Sequence, residues 1–273
     1  MSLSRLCAAL FCALPFSATA HEFWIEPLSY QVEASDRVQA LFKNGEGFKG
    51  NSQSFFDRRS KRFDVIVDGK ALPVTPRSGD SPALDIMPPI QDGLITVVHE
   101  TAPSTLTYRE WAKFLKFAAH KDFRTAAQDH LAAGWSQVKF REVYTRHVKA
   151  LIAVGTGTGR DSAAGMKTEF VALDNPYGEE FDNQMNILLL LDGEPRADAQ
   201  IEVFDRAPDQ NVSISLFRTN ARGQAAIPVS PGHSYLFDAV VLRPAAEANT
   251  QENAVVWKTY WAALTFAVPQ KPF

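Results

Sequence analysis

Cysteine is almost absent from this 273-residue chain: Cys7 and Cys12 are the only two, and both lie in the first dozen residues. A disulfide framework or a thiolate metal centre downstream is therefore excluded, and any metal held there must use nitrogen and oxygen ligands. Long apolar runs are also missing after Phe16, where nothing approaches the ~20 residues needed to span a bilayer. Positive charge is in deficit, with 28 Lys and Arg against 31 Asp and Glu. That balance argues against a nucleic-acid binder, which carries a basic face. Catalytic signatures are thin as well. The chain has no Gly-x-Ser-x-Gly elbow and no His-Glu-x-x-His, and no cysteine nucleophile lies beyond Cys12.

What is present begins with a leader. Arg5 precedes an apolar run from Leu6 to Phe16, and Ala18-Thr19-Ala20 has the small-residue pattern behind which a signal peptidase cuts. Residues 1–20 are expected to be a signal peptide, and the chain is expected to be exported to the periplasm. Leu10-Phe11 before Cys12 does not fit a lipid-anchoring site. Cleavage after Ala20 makes His21 the first residue. Its α-amine, with an ordinary pKa of about 7.7–8.0, and its imidazole can then close one chelate ring on a transition ion. Neutral imidazole suits nickel, copper and zinc. A solvated, idle histidine is the competing reading of the same residue.

The body of the chain reads as short strands separated by turns. Val38–Phe42 precedes Asn44-Gly45-Glu46-Gly47, Phe63–Val67 precedes Asp68-Gly69, and Asp92-Gly93 opens Leu94–His99. The period then changes. Trp111, Phe114, Leu115 and Ala118 recur at helical spacing within 108–119, with Thr107 and Glu110 as a capping box, and a second short helix is expected over 125–133. Gly155 to Gly159 lacks a phosphate loop's Gly-Lys-Ser/Thr ending and reads as a flexible connector. From Thr168 onward seven strands fit a single sandwich. The expected fold is mainly β, with two immunoglobulin- or transthyretin-like sandwich domains. The first covers 21–160 with a helical insert at about 107–147, and the second covers 165–273.

Several stretches together resemble a family of exported bacterial proteins, domain of unknown function 4198, labelled periplasmic components of cobalt or nickel transport. They are His21-Glu22-Phe23-Trp24 with Glu26-Pro27, Asn44-Gly45-Glu46-Gly47-Phe48, Tyr144-Thr145-Arg146 with Lys149-Ala150-Leu151, Leu191-Asp192-Gly193-Glu194-Pro195, Arg218–Gly223, and Tyr260–Phe266. Asn220 departs from the aspartate usual in the family's Thr-Asp turn. The resemblance implies a β-rich periplasmic protein with a carboxyl-terminal sandwich, associated with metal uptake.

The leading expectation is thus a periplasmic protein that binds one divalent ion, nickel, cobalt or copper, and passes it to a membrane uptake system. His21 is the first ligand, a second imidazole comes from His99 or, after it, His233, and Glu22 and Glu26 can add a carboxylate or orient His21. Each of the two distal histidines also has a plain structural reading, at a sheet rim or in a sandwich-end loop. His120 and His130 read as solvated faces of the helical insert, and His147 as structural. Two other functions compete. One is a metal-free module gripping glycan or protein through sandwich loops or exposed Trp24, Trp257 and Trp261. The other is a copper-dependent oxidative enzyme built on an amino-terminal histidine brace, as in polysaccharide monooxygenases.

Overall fold

The computed structural model describes residues 21–270, so the expected leader and its cleavage site lie outside the described residues. Along the chain come β1 (Glu22–Pro27), β2 (Gln31–Val32), β3 (Val38–Glu46), β4 (Lys49–Gln53), β5 (Ser60–Val67), β6 (Lys70–Pro73), β7 (Leu84–Ile86), β8 (Gly93–Thr101) and β9 (Ser104–Tyr108). The helices α1 (Trp111–His120) and α2 (Ala126–Ala132) follow, and then β10 (Phe140–Val154). The remainder is β11 (Thr168–Ala172), β12 (Gln184–Leu191), β13 (Glu194–Pro195), β14 (Gln200–Arg206), β15 (Val212–Arg218), β16 (Gln224–Pro228), β17 (Ser234–Pro244) and β18 (Val255–Ala267).

The expectation of a mainly β protein in layered sheets holds, with the layers joined through a shared middle. A ten-stranded sheet runs β15-β14-β17-β18-β10-β8-β5-β6, with β2 and β9 also pairing to β10. The sheet of β1, β3, β4 and β7 covers one face, packing Phe23, Trp24, Ile25 and Phe42 on Val97, Val148, Ala150 and Ile152. The sheet of β11, β12, β13 and β16 covers the opposite face, with Phe170, Ile187 and Leu189 against Leu151, Phe237, Leu264 and Phe266. β10 is therefore buried on both faces, which explains its unbroken apolar run from Ala150 to Val154.

The expected separation of 21–160 from 165–273 is not a break in the sheet. β10 pairs in parallel with β18 from Arg141↔Val255 to Ala150↔Thr265. Two separate sandwiches would leave both strands as open edges, and pairing them removes those edges. The helical insert is also smaller than expected. Tyr108 belongs to β9, opposite Phe140, and Glu110 caps α1 without a side-chain hydrogen bond, so the Thr107/Glu110 capping box does not form. Phe114 and Phe117 of α1 pack on Phe140, Trp257 and Trp261 of the central sheet. The glycine-rich segment after β10 is pinned rather than flexible: Asp92 accepts hydrogen bonds from Thr156, and Asn175 Nδ2 donates to the carbonyls of Gly157 and Gly159.

Candidate functional site

β1 begins at the surface and dives across the central sheet, and its first residues are placed by the β3–β4 hairpin. Glu22 pairs with Gly45 and Phe23 with Asn44. The hairpin returns tightly through Gly47 (φ +60) and Phe48 (φ +59). Gly50, opposite Gly45, must lack a side chain, because a Cβ there would lie 2.6 Å from the Asn44 carbonyl oxygen and 2.8 Å from the Trp24 indole. The hairpin tip then closes over β1, and Gly47 N donates to Glu22 Oε2 at 3.1 Å. The Asn-Gly-Glu-Gly motif therefore sets Asn44 beside His21 and Phe23.

His21 is exposed, and its backbone is anchored: Arg146 Nη2 donates to the His21 carbonyl at 2.9 Å. The guanidinium of Arg146 sits 4.8 Å from the centre of the Tyr144 ring, 5.8 Å from Phe23 and 6.0 Å from Trp261. It divides two hollows. On one side, His21, Asn44, Tyr144 and Trp261 line a hollow of about 240 Å³. On the other lies a cavity of about 340 Å³ lined by Phe23, Phe42, Asn44, His99 and Tyr144 among others.

His99 forms part of that cavity wall. Its ring stands 4.3 Å from Phe42, 5.5 Å from Phe63 and 5.8 Å from Phe23, with 3% of the residue exposed. Nε2 meets Ser60 Oγ at 3.0 Å, while Nδ1 is buried without a hydrogen-bond partner. Burial lowers its pKa to about 3, so the ring is neutral at any physiological pH.

The other expected ligands are committed elsewhere. Glu22 is buried, and its pKa is raised to about 7 by desolvation and then by the nearby Asp238 carboxylate. It faces a charged group that the sequence hides. Lys121 Nζ contacts Glu202 Oε2 at 2.5 Å and Asp238 Oδ2 at 2.9 Å, and His120 Nε2 lies 2.8 Å from Glu202 Oε1. Burial alone would discharge Lys121, yet the two carboxylates outweigh it and hold its pKa above the ordinary value. His120 stays exposed, as expected of a solvated face, and reaches Glu202 from there, whereas its neighbour Lys121 is buried against the sheet.

Glu26 is clamped by Arg206, with Nη1 at 2.6 Å and Nη2 at 3.0 Å, and it also accepts from Trp24 Nε1. His233 Nδ1 lies 2.6 Å from Asp205 Oδ1. β14 pairs Arg206 with Ser234, so His233 belongs to the Glu26 end of β1, whereas His21 precedes Glu22, four residues or roughly 13 Å away from Glu26. Of the two distal histidines, only His99 shares a wall with the Phe23–Arg146 corner that anchors His21. Among the described residues no three His, Cys, Asp or Glu side chains come together as a metal cage.

Two further expectations are corrected. His130 is fully buried, accepting from Trp257 Nε1 at 3.1 Å through Nδ1, with Nε2 at 3.0 Å from the Ser136 carbonyl. Trp24, Trp257 and Trp261, expected as exposed gripping aromatics, are 1%, 2% and 4% exposed because each fills a gap between layers. His147 is structural as read, buried with Nδ1 on the Trp261 carbonyl. Arg146, Asn44, Glu202 and Asp238 were not legible as site residues. Arg146 and Asn44 stand within the family motifs, but nothing in their spacing shows that they meet.

The sequence profile of a family described as Domain of unknown function (DUF4198) matches residues 18–243. The chain belongs to the DUF4198 family. No curated protein matches it. Among solved structures, a tetra-tandem repeat from the extending region of a large adhesion protein is 10% identical over 90% of this chain, with a TM-score of 0.22. This family member spans 49% of that chain, about half its length. The D0-D1 domain of Intimin is 10% identical, with a TM-score of 0.21 over 89% of this chain and 97% of that one. At such scores neither likeness carries an argument about use. No helix among the described residues is long and apolar enough to cross a membrane.

Proposed function

We propose that this DUF4198 member is an exported, periplasmic protein that binds one divalent transition ion, nickel, cobalt or copper, at an amino terminus processed to His21. The α-amine and imidazole of His21 hold the ion, and His99, in the wall of the neighbouring hollow across Arg146, is the candidate second imidazole. The bound ion is then handed to a membrane uptake system. The observation that carries the reading is the state of His99: a neutral imidazole with Nδ1 buried and unpartnered, in the wall of the cavity next to the residue that anchors His21. In the tautomer whose Nε2–H donates to Ser60 Oγ, Nδ1 is a lone pair open to a donor or a metal, and neutral imidazole is the form metals take.

Glu22 and Glu26 contribute only at a distance, through the Gly47 and Arg206 contacts that fix the course of β1. Titration of correctly processed protein with nickel, cobalt, copper and zinc tests the proposal. His21→Ala should lose binding, His99→Leu should weaken it by at least about tenfold, and His233→Ala should leave it unchanged. Equal affinity in the native and His21→Ala proteins would remove the site. If copper binds best, reductant-dependent oxygen consumption separates an oxidative enzyme from a carrier.

A further inference from the structure

The cavity beside Arg146 has features that a metal at His21 leaves unexplained. Its charged lining side chains are Arg59 and Arg146, and it has no acidic one, in a protein whose net charge is −3. Among the described residues neither arginine has a carboxylate within salt-bridge distance, although fourteen other Lys and Arg side chains do. Arg146 Nε is buried with no hydrogen-bond partner, and so is Asn44 Oδ1 in the same wall. Buried polar groups are as a rule satisfied, and two orphaned atoms on residues that line this hollow and its neighbour beside His21 have no partner from the fold itself. Four phenylalanine rings, Phe23, Phe42, Phe55 and Phe56, share the rest of the wall with polar groups such as Gln53 and Thr101, and the Arg59 guanidinium lies 5.4 Å from the Phe56 ring centre.

We infer that this cavity is a binding site for a small organic carboxylate with an apolar, ring-sized body and one hydrogen-bond donor. The carboxylate sits against Arg146, whose planar fork matches it, with Arg59 adding charge at the mouth. The donor, a hydroxyl or an amine, serves Asn44 Oδ1. The body lies between the phenylalanine rings, and about 340 Å³ is at the small end of the range for such ligand pockets. A phosphate-sized inorganic anion would satisfy the arginines and leave the aromatic walls bare. A neutral aromatic would fill the rings and leave Arg146 unpaired. The mixed lining selects a molecule that does both. This site shares the His99 wall with the proposed metal, but none of its carboxylate contacts requires the metal to be bound.

Calorimetric titration of the processed protein, freed of metal on a chelating resin, tests the inference with three carboxylates and their neutral amides. The pairs are phenyllactate and phenyllactamide, phenylalanine and phenylalaninamide, and benzoate and benzamide. At least one donor-bearing carboxylate should bind, more tightly than benzoate and than its own amide. Arg146→Gln should weaken that binding by about ten- to a hundredfold, the worth of a charge-assisted hydrogen bond, with Arg146→Lys between the two. Should Arg146→Gln fail to fold, Ser104→Trp, which places an indole in the mouth from an exposed strand position, should abolish binding while circular dichroism stays native. His21→Ala should abolish metal binding and spare the carboxylate, so failure of one site is distinguishable from failure of the other. Absence of binding by all three carboxylates, equal binding of acid and amide, or unchanged affinity in both Arg146→Gln and Ser104→Trp would overturn the inference.

Discussion

His99 and Glu22 are each held neutral by burial over a pH range in which water would favour the charged form. An unfolded chain protonates His99 near 6.5, whereas the folded ring takes a proton only near 3. Between those values the unfolded state binds more protons, so the stability His99 confers is present above 6.5 and is lost as pH falls. Glu22 has the opposite sign. Its folded pKa of about 7 exceeds the ordinary 4.5, so its contribution is complete below 4.5 and is lost as pH rises through 7. The two slopes oppose each other in the native protein, and single variants separate them. Urea unfolding at pH 7 and pH 5 should show His99→Leu gaining about 2 kcal/mol relative to the native protein on acidification. Glu22→Gln should instead flatten the decline between pH 5 and pH 7, with its amide oxygen still accepting from Gly47. Parallel pH profiles for native protein and His99→Leu would mean that His99 is protonated in the fold, and would weaken its claim as a metal ligand.

β10 is the element on which both layers depend, and one side chain shows what that costs. Lys149 is fully buried, with Nζ 2.9 Å from Asp161 Oδ2, 3.4 Å from Glu169 Oε2, and 2.8 and 3.0 Å from the carbonyls of Ser162 and Phe170. Asp161 also accepts from Thr96 Oγ1 and Ala172 N, and Glu169 accepts three backbone N–H groups of residues 164–166. The ammonium thereby staples the loop before β11 onto β10. Lys149→Met leaves two carboxylates buried without their cation and should cost about 3–5 kcal/mol in urea denaturation. The triple variant Lys149→Met, Asp161→Asn, Glu169→Gln should lose less than Lys149→Met alone, because no unpaired charge remains. A loss below 1 kcal/mol for Lys149→Met would show that water reaches the cluster. The β3–β4 hairpin carries a similar constraint, and Gly50→Ala should destabilise the fold by pushing Trp24 and the Asn44 carbonyl apart.

At the scale of the molecule, the β10–β18 pairing joins the two expected domains in one sheet, from which cooperative unfolding is predicted. Calorimetry should show a single unfolding transition, and separately expressed 21–160 and 165–273 should not fold, because each would expose a long apolar edge on the strand that the other covers. Two resolved transitions, or an independently folded half, would restore the division. Parallel pairing of strands more than a hundred residues apart also implies slow folding, since the loop must close before the contact rewards it.

Alternation, turn residues and the switch to helical spacing determined by themselves that this is a layered β protein with a small helical piece, because those signals are local and reflect backbone period. The motifs from His21 to Gly223 likewise carried the family. Tertiary structure alone decided what those residues face. Lys121 reads as polar in a helix end and is buried between two carboxylates, while Trp257 and Trp261 read as free and are covered by α1. Asn44, His99 and Arg146 lie on three different strands, and only the stacking of β1 and β3 over β8 and β10 brings them to one cavity. Period fixes which way a side chain points from its own strand, but the partner it meets depends on register and crossing between strands far apart in the chain, and no local pattern encodes that.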